Sequence, residues 1–543
     1  MKRSPFLIAL LFIVASCSKQ KADLIIYNGK IYTVNEKFDI AEAIATKDGK
    51  IIGVGTTNDI RKQFAAKEEL NVNGKAVFPG FIDAHAHFMG YGQSLQSADL
   101  RETTSWEDVL TRLSAFAKTN PDGWLIGRGW DQNDWAIKQF PTKEKLDLMF
   151  PNRPVLLERI DGHAAIVNQK ALDEAGLSKS FALTGGDIVE KDGKLTGLLI
   201  DNAVGLVQNK IPAPDSKQME KIFLDAQKNC FSVGLTTIDD CGLDFEAVDF
   251  IEKMQAKNSL KMRLYVMLSD TEKNFDYLFK RGAIKTDRLN VRAFKVYADG
   301  ALGSRGACLL HDYSDMPHKR GFLLSETKHF EEVAKKINDH NFQMCTHAIG
   351  DSANRTILKI YNQVLGAKND KRWRIEHAQV VAQSDFNLFG SASIIPSVQP
   401  THATSDMYWA GDRLGAERVK GAYAYKQLME QNGWIPLGTD FPVEQINPMF
   451  TFFAATARKD AKDFPKNGYQ MENALTAEQA LRGMTIWAAK ANFEEKEKGS
   501  LEVGKFADFI VLENDIMKAT ASQILQNKVL KTYVNGEKVY EKK

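Results

Sequence analysis

Cysteine is scarce, with five in 543 residues, so the chain carries no dense disulfide framework of the kind that staples small secreted domains. Charge of one sign is scarce too. Lys and Arg total 71 against 69 Asp and Glu, a net charge of +2, and no basic patch interleaved with aromatics stands out. That balance gives no reason to expect nucleic acid or an anionic membrane surface as a partner. Internal repeats and low-complexity runs are absent. The N-terminal apolar run, FLIALLFIVAS, is too short for an ordinary transmembrane helix.

That run has another use. Lys2 and Arg3 precede it and V-A-S-C ends it, with Cys17 directly after small residues. It reads as a signal peptide over residues 1–16 that resembles a bacterial lipobox, with a lipid placed on Cys17. An ordinary signal peptide with an incidental cysteine is the alternative. The anchor is then the only membrane contact expected, and it places the protein in a bacterial cell envelope, periplasmic or at the outer membrane. Cys230, Cys241, Cys308 and Cys345 read as mostly buried thiols.

The length exceeds one ordinary domain. Residues 17–75 hold short strand-like runs separated by Asn28-Gly29, Asp48-Gly49 and Asn73-Gly74, and residues 504–543 repeat the style around Asn535-Gly536. One small β-sandwich built from both termini is expected. Between them, residues 76–503 alternate strand-like with amphipathic segments. The strand-like runs PGFIDAHAHF, GLTTIDD, RLYVML, RAFKVYADG, FQMCTHAIG, RWRIEHAQ, SIIPSVQ and WIPLGTD make eight β units, the number of a (β/α)8 TIM-like barrel in the α/β class. Residues from about 95 to 228 break the alternation and read as a subdomain inserted between the first and second barrel strands, over the barrel mouth.

Histidines carry the chemistry. In PGFIDAHAHF, residues 79–88, His85 and His87 lie two apart at a strand end, so both imidazoles face one point. Neutral imidazole is the commonest protein metal ligand. Alone the pair is a weak signal. His347 and His377 then end two successive β units, and Asp440 ends the last. A carboxylate there holds a metal or accepts a proton from water; capping a helix is its plainer use. Lys295 sits mid-strand among apolar residues. Either its amine snorkels to the strand end, or it adds CO2 and becomes a carbamate, which requires a depressed amine pKa. Cys345 shares a face with His347 and reads as packing rather than as a ligand.

This ordered set resembles the amidohydrolase superfamily, and more closely amidohydrolase family 3, the branch with N-substituted formamide deformylase. The matches are PGFIDAHAH, VNQKAL, LTGLL, KVYADGALGSR, HAIGD, EHAQ, SVQPTHATSDMYWA, RLGAERVKGAYAY, LGTDFPVE and GSLEVGKFADFIVLE, with Thr439 where Ser is usual. The resemblance implies one or two metals per chain, zinc foremost. His85, His87 and Asp440 would hold one, His347 and His377 the other, and a carboxylated Lys295 would bridge them. Asp440 would be the catalytic base and acid in hydrolysis of a C–N bond of a small amide or cyclic amide. His163 matches a position near the substrate. Trp130, Arg305 and His402 are further candidate substrate contacts, with Asp131, Trp135, Asp406 and Trp409 beside them. Plainer roles are open to each: Trp130 and Trp135 in the insertion's own core, Arg305 in an ion pair. Hydrolytic deamination on the same metals and a non-catalytic solute-binding lipoprotein are the rival functions. A homodimer is an open assembly.

Overall fold

The computed structural model describes residues 19–543. The expected signal peptide and Cys17 lie outside them. Among the described residues, no helix is long and apolar enough to cross a membrane.

Seven parallel strands form a nearly closed barrel: β1 Phe81–Ala86, β2 Leu235–Leu243, β3 Arg263–Ser269, β4 Leu289–Tyr297, β5 Gln343–Ala348, β6 Arg374–His377 and β7 Ile395–Ser397. They neighbour one another in chain order. Helices cover the outside, so the strands are buried on both faces and read as near-continuous apolar runs. The helix Thr327–Asp339 shows the complement: it buries Phe330, Val333, Ala334 and Ile337, an i, i+3, i+4, i+7 stripe, and leaves its lysines and acids to water.

The eighth β unit is present but forms no regular strand. Pro436 has no N–H to give a ladder. Leu437 makes a single parallel bridge to Val398, Ala84 N donates to Leu437 O at 3.2 Å, and Asp440 N donates to His85 O at 2.7 Å. The segment thus closes the gap between β7 and β1 with few bonds and hands Asp440 to the barrel's C-terminal rim. Gly438 belongs here for a steric reason: a Cβ on it would stand 2.6 Å from His85 N and 2.9 Å from Asp83 Oδ1.

Three further sheets accompany the barrel. One has four strands, ordered Lys50–Gly55, Ala43–Lys47, Gln20–Tyr27, Phe64–Asn71. A six-stranded one runs Glu537–Glu541, Val529–Val534, Phe509–Leu512, Ala76–Pro79, Lys30–Tyr32, Ile40–Ala41. Leu24, Ile26, Ile44 and Ile51 of the first pack in one cluster with Val77, Phe509, Val511 and Tyr533 of the second. Ala76–Pro79 is antiparallel to Phe509–Leu512, so the terminal β part extends past residue 75 to meet the barrel at Gly80. The third sheet, also six-stranded, takes all its strands from Ala98–Asp201, between β1 and β2. The four cysteines with described positions are free thiols, three buried and Cys308 partly so.

Candidate metal centre

Strand ends bring the predicted ligands together. His85 lies in β1 and His87 directly follows it; His347 lies in β5 and His377 ends β6. Each of three imidazoles has its Nδ1 held from behind: His85 by Glu376 Oε2 at 2.6 Å, His87 by the Cys241 carbonyl at 3.0 Å, His377 by Gln399 Oε1 at 2.7 Å. That fixes ring orientation and leaves Nε2 as the free donor, the usual arrangement behind ligating histidines. His87 Nε2 lies 3.2 Å and His85 Nε2 3.6 Å from Asp440 Oδ1. Lys295 is fully buried, its Nζ 3.3 Å from His85 Nε2. The ring of His347 lies 4.5 Å from that of His377.

These residues fit a cation. Donor atoms of His85, His377 and Asp440 fall within 4.8 Å of one another. Asp440 Oδ1 and His347 Nε2 are buried and, among the described residues, without an aligned hydrogen-bond partner. A buried polar atom of that kind asks for an occupant. Two of the residues also carry unusual backbone: His377 at φ 72° and Asp440 at φ 64° are left-handed. At β6 this has a clear purpose. Glu376 and His377 are neighbours and would face opposite sides of a regular strand. The turn at His377 lets both point to the centre.

Electrostatics prepare the site. Burial, then Lys295, pulls His85 down to about 4, and burial holds His347 and His377 well below the ordinary imidazole range. All three are therefore neutral near pH 7, the form that binds metals. Burial would raise the Asp440 carboxyl, but His87, His85 and His377 outweigh it and hold it well below its usual range. Lys295 departs from expectation. Burial pulls its amine down, yet Tyr297, Cys241, Glu376 and Asp440 together push it up to about 12. The expected depression of that pKa is thus corrected: the surrounding acids favour ammonium, and only added positive charge at the centre would reverse them.

A layer beneath the ligands escaped sequence reading. Glu376 and Arg374 both point inward from β6; Arg374 donates to Asp239 Oδ2 at 2.9 Å, and Asn492 Nδ2 to Asp239 Oδ1 at 2.6 Å. Buried Asp83 accepts from Thr439 N at 2.9 Å and from its Oγ1 at 2.7 Å, anchoring the turn that carries Asp440. Threonine supplies the hydroxyl as serine would. The available signal was charge: Arg374 and Glu376, two apart on a central strand, are residues rarely buried unless paired. Replacing Glu376 by Gln is expected to lower zinc affinity about 10- to 100-fold by loosening His85. Competition with a chromophoric chelator measures this, and unchanged affinity would remove Glu376 from that role.

A cavity of about 1450 Å3 opens over the centre. His163 reaches it from the sheet between β1 and β2, its Nδ1 2.6 Å from Asp201 Oδ1 and its ring 4.9 Å from His347. His402 Nε2 lies 3.6 Å from Asp440 Oδ2. Asp131, Asp406 and Trp409 also line the cavity. Two candidates lie elsewhere. Trp130 is fully buried in the core of its own sheet beside Trp135, its Nε1 donating to the Leu157 carbonyl at 2.8 Å. Arg305 pairs with Asp315 at 2.8 Å, outside the cavity wall. For both, the plainer role matches the structure, and neither belongs with the substrate contacts. Cys345 packs with Cys241, Tyr265, Met267 and Ala293.

The amidohydrolase family model matches residues 68–540. YtcJ of Bacillus subtilis is 31% identical over 95% of this chain and 99% of its own. N-substituted formamide deformylase of Arthrobacter pascens is 26% identical over 96% of this chain and 99% of its own. Among solved structures, an uncharacterized metal-dependent hydrolase from Pyrococcus horikoshii superposes with a TM-score of 0.76 at 26% identity, over 92% of this chain and 99% of its own.

Proposed function

The chain belongs to amidohydrolase family 3, and we propose that it is a metal-dependent hydrolase of a carbon–nitrogen bond in a small amide or cyclic amide. The observation that carries this reading is the grouping of donor atoms of His85, His377 and Asp440 within 4.8 Å of one another, with His87 beside Asp440, Lys295 beside His85 and His347 beside His377, and with Nδ1 of three of the imidazoles tied off behind. His85, His87 and Asp440 would hold one zinc ion, His347 and His377 a second, with Lys295, as its carbamate, between them. When bound, such ions supply Lewis acidity and lower the pKa of water.

The chain's own groups do the rest. Asp440, ionised and at the cavity floor, accepts a proton from the attacking water and delivers it to the leaving nitrogen, so that amine rather than amide anion departs. His163, fixed by Asp201, and His402, beside Asp440, flank the position of the scissile carbonyl and orient it. The cavity exceeds the usual range for small-molecule sites, about 300–1,000 Å3, and so admits amides larger than a formamide. The formamide activity named for the Arthrobacter relative supports beginning with N-substituted amides.

The test is a panel of N-formyl, N-acyl and cyclic amides offered to protein stripped by chelator and then reloaded with zinc. Amine and acid release restored by zinc is expected. Ammonia release from amino-substituted rings, with no amide cleaved, would replace this reading by deamination.

We also propose the chain's domain architecture and its place in the cell. The two terminal sheets form one composite β-sandwich, and the sheet between β1 and β2 is an inserted subdomain over the mouth. Cys17 carries a lipid that holds the enzyme in a bacterial envelope. Replacing Cys17 by Ser is expected to move the protein from the membrane to the soluble fraction; unchanged partition would refute the anchor.

A further inference from the structure

Behind one wall of the large cavity lies a second, of about 360 Å3. Trp409 lines both, so a single indole is common to the two walls. The smaller cavity is bordered by Lys138, Arg305 and Arg413 against Asp315 and Asp412, three cations to two acids. Asp315 is shared: Arg305 Nη2 donates to its Oδ2 at 2.8 Å, and Arg413 Nη1 contacts the same oxygen. Two guanidinium groups therefore divide one carboxylate, although each offers five N–H donors.

On Arg413 and Asn133 the donors left over are buried. Arg413 is 5% exposed and Asn133, also on the cavity wall, 6%. Arg413 Nη2 donates to Asn133 Oδ1 at 2.9 Å, which orients the Asn133 amide with its Nδ2 outward from that bond. Among the described residues, neither Arg413 Nε nor Asn133 Nδ2 has a hydrogen-bond partner. Desolvated donors of this kind are costly to leave unmade. Burial and then Arg305 push the Arg413 guanidinium below its ordinary range, a sign that positive charge here is under-compensated. Arg305 itself sits at φ 61°, a left-handed backbone that non-glycine residues hold only where the surroundings impose it.

We propose that this second cavity is a binding site for a small oxyanion, a carboxylate or phosphate group, gripped by Arg305, Arg413 and the Asn133 amide, with Lys138 at its mouth. The planar guanidinium fork matches both anions. The anion would add acceptors to those that Asp315, Asn133 Oδ1 and the Gly303 carbonyl supply. It also bears on the active-site cavity. Arg413 lies 5.4 Å from the Trp409 ring, so the occupant fixes the cation that backs the shared indole. The site is separate from the metal centre and does not depend on the reaction proposed above.

Calorimetric titration of the zinc-loaded protein with inorganic phosphate and, separately, with succinate tests it. Saturable one-to-one binding of at least one anion is expected, and the preferred one distinguishes a phosphate from a carboxylate source. Binding is expected to persist in D440N and to weaken at least about tenfold in R305Q, the loss of one charge-assisted contact. Should R305Q fail to fold, K138A decides the matter, because Lys138 is exposed and dispensable to packing. It is expected to weaken binding about threefold. Absence of saturable binding, or equal affinity in wild type, R305Q and K138A, would overturn the proposal. Binding lost in D440N but kept in R305Q would overturn it too, by assigning the anion to the metal centre.

Discussion

Replacing Asp440 by Asn is expected to lower kcat by about 10^2- to 10^4-fold, the range for removal of a general acid–base group. The carboxylate stands 3.2 Å from His87 Nε2, 3.6 Å from His85 Nε2 and 3.6 Å from His402 Nε2, on the floor of the cavity. Its Oδ1 is buried and has no aligned partner among the described residues, so the substitution removes no aligned hydrogen bond from that oxygen. Asparagine keeps the shape but cannot accept the proton. It also tolerates the left-handed backbone at this position better than most residues do. The turn is held by Thr439 on Asp83, which the substitution leaves alone. The fold should therefore persist, and thermal unfolding checks that alongside the rate. A variant with a near wild-type rate would remove Asp440 as the proton carrier.

Lys295 carries the second large effect. Its amine is fully buried, 3.3 Å from His85 Nε2 and 4.6 Å from the Tyr297 ring centre, at the heart of the centre. Replacement by Ala is expected to cost more than about 10^2-fold in activity, since even the groups that support ligands cost up to about that much. Short carboxylic acids added with zinc should then restore part of the rate by entering the space left. Replacement by Met should lose activity equally and resist rescue, because its side chain fills that space. Full activity in either variant would dispose of the carbamate.

Much of the barrel was legible because its pattern is physical. Strands buried on both faces read as apolar runs, and the ligands lie on those runs or directly after them. The eighth unit was visible in WIPLGTD, but its weak pairing was not, since it depends on what Pro436 withholds. Of the centre, the histidines and Asp440 announced themselves by ending strand-like runs, and Lys295 by lying within one. Their supports did not. Glu376 and His377 are adjacent, and strand periodicity places them on opposite faces; a left-handed residue defeats that rule at the site itself. Strained backbone at functional positions is where local patterns are expected to fail. Trp130 and Arg305 mark the opposite case. Residue type suggested contact with substrate, whereas burial in one and a pairing with Asp315 in the other decide their places.

A constellation of this kind, if it is a metal site with catalytic use, must hold metal in the purified protein. The direct measurement is metal content per chain, by plasma mass spectrometry, on protein truncated before Cys17 and purified without chelator. Two zinc ions per chain are predicted, falling in K295A. No bound metal, even after reconstitution with zinc, would contradict the account and leave a binding protein in its place.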